Sequence, residues 1–122
     1  MDLDDWLVLM EKNKQTDIPM DFDGKVMTPR EFVGQAKANA LSVSKASRVS
    51  SIFGMQNLLI DRIKKRYQAG KLEGVHRITE EKQKYFSPED IIHEVEAGTP
   101  IGEKFLLVEK GLMDELKDML RR

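Results

Sequence analysis

From Pro100 to the C-terminus, Ile101, Phe105, Val108, Leu112, Leu116 and Met119 fall on one line of a helix with 3.6 residues per turn. Leu106, Met113 and Leu120 widen that line. An apolar stripe of this breadth must be covered, either in a bundle core or against a second copy. The chain is therefore expected to build around this helix. Phe105, Val108, Leu112, Leu116 and Met119 become its candidate protein interface, with burial in the chain's own core as the other reading.

Local start signals place the remaining helices. Thr28-Pro29-Arg30-Glu31 combines a capping hydroxyl, a proline at the first helical position and a glutamate three residues on. Phe32, Val33, Ala36 and Ala40 follow as its apolar face. Ser87-Pro88-Glu89-Asp90 repeats the signal ahead of Ile91, Ile92 and Val95, and Gly98 ends that helix before Thr99-Pro100 opens the last one. At the N-terminus Asp2 or Asp4 caps a helix whose Leu3, Trp6, Leu7 and Met10 share one face.

Between these elements the pattern is weaker. Residues 17–27, with Pro19 and the dipeptide Asp23-Gly24, read as a loop. Serines in residues 42–47 predict a break. Helical spacing resumes over Ala46 to Ala69 through Val49, Ile52, Phe53, Leu59, Ile60, Ile63 and Tyr67, and Gly70 and Gly74 end it. Val75-His76-Arg77-Ile78 alternates as a short strand or an extended linker, and Thr79 to Tyr85 reads as one helical turn. The expectation is an all-α fold, a compact bundle of five to six helices in one domain over residues 1–122, with 70–86 as a loose internal connection.

Charge is distributed in blocks. Net charge is −1, yet residues 1–25 carry −4, 26–44 carry +1, 45–84 carry +6 and 85–122 carry −4. A basic centre between acidic ends implies either an anionic partner at the centre or attraction between parts of one fold. With 40% apolar and 34% charged residues the chain has globular composition. It contains no cysteine, which excludes disulfides and thiolate metal sites. The acidic start is unlike a leader peptide, and no apolar run reaches membrane-spanning length. A cytoplasmic location, away from membranes, is the expectation.

Catalytic chemistry needs convergent acids, bases or nucleophiles. His76 and His93 fall on different elements, and His93-Glu94 lacks a second histidine at metal-ligand spacing. Gly70 and Gly74 lack the lysine and hydroxyl of a phosphate-binding loop. No enzyme, metal or cofactor is expected.

One segment points to a ligand. Ser50 to Val75 runs Ile52-Phe53-Gly54-Met55, then Gln56 to Ile63, then Lys64-Lys65-Arg66-Tyr67, then Gly70-Lys71-Leu72-Glu73-Gly74. This resembles the helix-turn-helix of transposases and related regulators, where an apolar residue and glycine close one helix and a second helix reads the major groove. The resemblance implies DNA binding through Arg48, Gln56, Asn57, Arg62, Lys64, Lys65, Arg66 and Lys71. Lys64, Lys65 and Arg66 then meet phosphates, while Gln56, Asn57, Asp61 and Arg62 face base edges. The other reading is one continuous helix from Ala46 to Ala69, in which Gly54 costs about 1 kcal/mol against alanine. The function expected is a small DNA-binding regulator or accessory factor of a phage or mobile element. The alternative is a non-enzymatic protein-interaction module, an adaptor, assembly factor or inhibitor, acting through charged faces or the C-terminal helix.

Overall fold

The computed structural model describes residues 1–38, 55–79 and 82–120, apart from the side chains of Ile78 and Thr79. The elements run α1 (Leu3–Lys12), β1 (Met20–Phe22), β2 (Lys25–Met27), α2 (Pro29–Lys37), α3 (Gln56–Gln68), β3 (Val75–Thr79), β4 (Lys82–Phe86), α4 (Pro88–Ala97) and α5 (Pro100–Leu120). Among the described residues the five helices are joined by two small antiparallel hairpins, β1–β2 and β3–β4, so the fold is not all-α.

The first hairpin replaces the expected loop over 17–27. Met20 pairs with Met27 and Phe22 with Lys25, around Asp23 at φ +55° and Gly24 at φ +98°. Positive φ at both central residues is the tight hairpin turn whose twist matches paired strands, and glycine adopts it without Cβ strain. The Asp21 carboxylate accepts from the Gly24 amide at 2.8 Å and holds the turn. The second hairpin occupies most of 70–86, where a loose connection and a helical turn were expected. Val75 pairs with Phe86, His76 with Tyr85 and Arg77 with Lys84. Only residues 75–78 alternate in the sequence; the partner strand 82–86 does not, and cross-strand pairing rather than a local pattern makes it extended.

The helix starts follow their caps. Thr28 and Ser87 each accept from the third helical amide, and Glu31 and Asp90 return the bond to the cap backbone. Thr99 Oγ1 accepts from the Gly102 amide at 3.0 Å and opens α5. Gly102 also sets how closely α5 approaches α4: a Cβ there would stand 2.2 Å from the Glu94 carbonyl oxygen. Only glycine lets the two backbones meet in this way.

Helices α1, α3 and α4 all pack on α5. The face of α5 that they bury holds Gly102, Phe105, Leu106, Glu109, Met113 and Leu116. That face is rotated from the stripe read in the sequence: Val108 points to solvent and Glu109 points inward. Trp6 is fully buried among α1, β1, α2 and α5, and its indole N–H donates to the Leu116 carbonyl at 2.8 Å. The rings of Phe22 and Phe32 meet Trp6 edge-on at 6.1 and 6.0 Å and stack on each other at 4.0 Å.

Candidate nucleic-acid interface

Helix α3 carries the basic run, and its sequence decides which cations turn inward. Leu59, Arg62, Ile63 and Arg66 stand at i, i+3, i+4 and i+7, so two cations share the apolar face. Arg62 is fully buried. Its Nε and Nη2 donate to Glu109 Oε2 at 3.2 and 3.1 Å, Nη1 donates to the Pro19 carbonyl at 3.0 Å, and Nη2 also donates to Gln15 Oε1 at 3.0 Å. Burial pulls the guanidinium below its ordinary range, and the Glu109 carboxylate pulls it back up. Arg62 is therefore a core cross-link of α3 to α5 and to the α1–β1 connection, and it does not reach a base edge.

The other α3 cations are engaged as well. Arg66 donates to the second Glu109 oxygen and to the Lys71 carbonyl at 3.4 Å. Lys64 pairs with Glu96 on α4 at 3.1 Å, and Lys65 pairs with Asp61 one turn back at 2.9 Å. Gln56, in the first turn of α3, is half-buried, whereas Asn57 and Lys71 are exposed. Arg48 and Gly54 lie outside the described residues, as does any helix that would precede α3 in a helix-turn-helix.

The second hairpin presents cations differently. Side chains alternate across a strand, so Val75, Arg77, Lys82, Lys84 and Phe86 share one face. Phe86 and Val75 anchor the base of this face in the core. Beyond them Arg77 stands directly opposite Lys84, an arrangement of like charges that weakens a strand pair. Among the described residues no carboxylate lies at ion-pair distance from Arg77, Lys82 or Lys84. The Arg77 guanidinium sits 5.6 Å from the Phe105 ring centre and Lys84 Nζ 5.0 Å from that of Phe86. Such contacts hold the side chains over aromatic faces without neutralising them. Lys84 reaches one acid electrostatically: hydrogen bonds from the Ser87 backbone and hydroxyl hold the Asp90 carboxyl below its ordinary range, and Lys84 and His93 add to this. On the opposite face of the hairpin His76 and Tyr85 are exposed, with ring centres 4.9 Å apart.

The cations of the hairpin were counted in the basic centre of the sequence but not singled out as a site. The alternation of residues 75–78 was the one local signal, and the strand pairing is what places Lys82 and Lys84 on the face of Arg77. The candidate interface of α5 also divides. Phe105 and Leu116 are core residues, Leu112 and Met119 are half-buried, and Val108 is 63% exposed. Phe105 packs edge-on against Phe86 at 5.4 Å.

Among the described residues no three histidine, aspartate or glutamate side chains converge as a metal site, and no helix is long and apolar enough to cross a membrane. The chain matches no protein-family model, no curated protein and no solved structure.

Proposed function

We propose that this protein binds DNA, with the β3–β4 hairpin rather than α3 as the principal contact. The observation that supports this reading is the column of Arg77, Lys84 and Lys82 on one hairpin face, without a carboxylate partner among the described residues. Cations that repel one another within a fold gain most from an external polyanion, because phosphates relieve the repulsion and release counterions. A two-stranded ribbon is narrow enough to enter a major groove, where phosphate contacts on its flanks set its register. Lys71, at the α3–β3 connection, is exposed and free of an acid among the described residues. Lys64 and Lys65 are weaker contributors, since each must leave an acid to meet a phosphate.

Fluorescence anisotropy of a labelled duplex, titrated at low and physiological salt, tests the proposal. Affinity is expected to fall steeply with salt. The variant R77E/K82E/K84E is expected to lower the slope of log affinity on log salt by about 2–3 units, at roughly 0.9 per phosphate contact. K64E/K65E is expected to lower it less. Arg66 is left intact, because reversing it would place a second carboxylate beside that of buried Glu109. Absence of binding at low salt overturns DNA binding altogether. Loss of binding in K64E/K65E with retention in the hairpin variant returns the role to α3.

A further inference from the structure

The outer face of α5 bears the two most exposed large apolar side chains among the described residues, Leu107 at 56% and Val108 at 63%. One turn on stands Gly111, where an added Cβ would meet nothing within 4 Å. A glycine in an exposed helix interior costs about 1 kcal/mol against alanine. No contact among the described residues requires it. Leu107, Val108, Gly111 and Leu112 stand at i, i+1, i+4 and i+5 and outline a diamond with a notch at its glycine corner.

Charges bracket this diamond. Lys104 lies before it and Glu115 after it, equally far from its centre and on nearly the same line of the helix. Both are exposed, and neither has an ion-pair partner among the described residues. Their neighbours Lys110, Asp114 and Lys117 are paired with one another.

We infer that this face docks antiparallel on the same face of a second copy, about a two-fold axis through the centre of the diamond. The spacing is self-complementary. The axis exchanges Val108 with Gly111, Leu107 with Leu112, and Lys104 with Glu115. A two-fold interface uses one patch twice, so each complementary pair forms twice. Val108 of one copy fills the notch at Gly111 of the other, and two Lys104–Glu115 pairs close the ends. Glu103 and Asp118 lie to one side of the line, at the solvent-exposed rim.

The test needs no DNA and so stands apart from the proposal above. Sedimentation of the full chain over a concentration series at low salt is expected to show a reversible monomer–dimer equilibrium. A single helix face is at the small end of specific interfaces, so dimer is expected at roughly micromolar to 100 µM protein. Val108→Glu is expected to leave monomer throughout, with an unchanged circular dichroism spectrum. Lys104→Glu and Glu115→Lys are each expected to weaken the dimer about tenfold, because each sets two like-charge pairs across the axis. The double variant K104E/E115K restores both pairs in reverse and is expected to return to within about threefold of the parent. A wild-type chain that stays monomeric, a Val108→Glu dimer as tight as the parent, or a double variant no tighter than the singles overturns the inference.

Discussion

Glu109→Ala is expected to destabilise the protein by about 3–5 kcal/mol, the usual loss when one partner of a buried ion pair is removed. The whole stability of a domain this size is only about 5–15 kcal/mol, so the variant lies near the limit of folding. The expectation follows from the accounting at Arg62. With Glu109 gone, its guanidinium keeps the Pro19 carbonyl and Gln15 but holds an uncompensated charge in a site with no exposure. Arg66 loses its carboxylate in the same step. Urea unfolding followed by circular dichroism measures the effect. The double variant R62M/E109L separates charge from packing: apolar residues of similar volume in place of a buried pair are often neutral or stabilising. It is expected to recover most of the loss. A Glu109→Ala midpoint equal to that of the parent would mean that Arg62 does not reside in the core.

Trp6→Ala is expected to cost about 3–5 kcal/mol, through lost burial and the cavity left behind. The indole touches three elements besides its own, so the cavity cannot close by shifting one neighbour. Phe22 and Phe32 are stacked on each other and lean on Trp6 by their edges, and relaxing one displaces both. The Leu116 carbonyl also loses its indole donor. Trp6→Phe keeps most of the volume and removes that donor, so its cost is expected to be smaller, about 1–3 kcal/mol. Thermal unfolding of both variants checks the order; equal midpoints for Phe and Ala would assign the effect to the hydrogen bond alone.

The two residues differ in how visible they are in the sequence. Trp6 lies on an apolar stripe with Met10, and its burial follows from that spacing. Glu109 lies on the inward face of α5 between Phe105, Leu106 and Met113, a position that a search for apolar residues passes over in favour of Val108. The matching signal was a second charge on an apolar face, Arg62 beside Leu59 and Ile63 on α3. Neither charge alone indicates burial, because a buried charge needs its partner and the partner lies in another element.

The starts of α2 and α4 and the junction of α4 with α5 were decided by the sequence alone. Thr28-Pro29 and Ser87-Pro88 start α2 and α4, and Gly98 separates α4 from α5, because a cap is made within a few residues and needs nothing distant. The Asp23-Gly24 turn is equally local, but a hairpin of three-residue strands holds only where core residues such as Trp6 cover its apolar face, so the same residues also read as a loop. Tertiary structure decided the rest. It paired residues 75–79 with 82–86, rotated the buried face of α5 by one residue, drew Arg62 inside and joined Lys64 to an acid on a neighbouring helix. These outcomes depend on which surfaces meet, and one-dimensional spacing does not contain that. The hairpin cations without an acid among the described residues, and the exposed apolar residues of α5, became visible only once the other pairings were known.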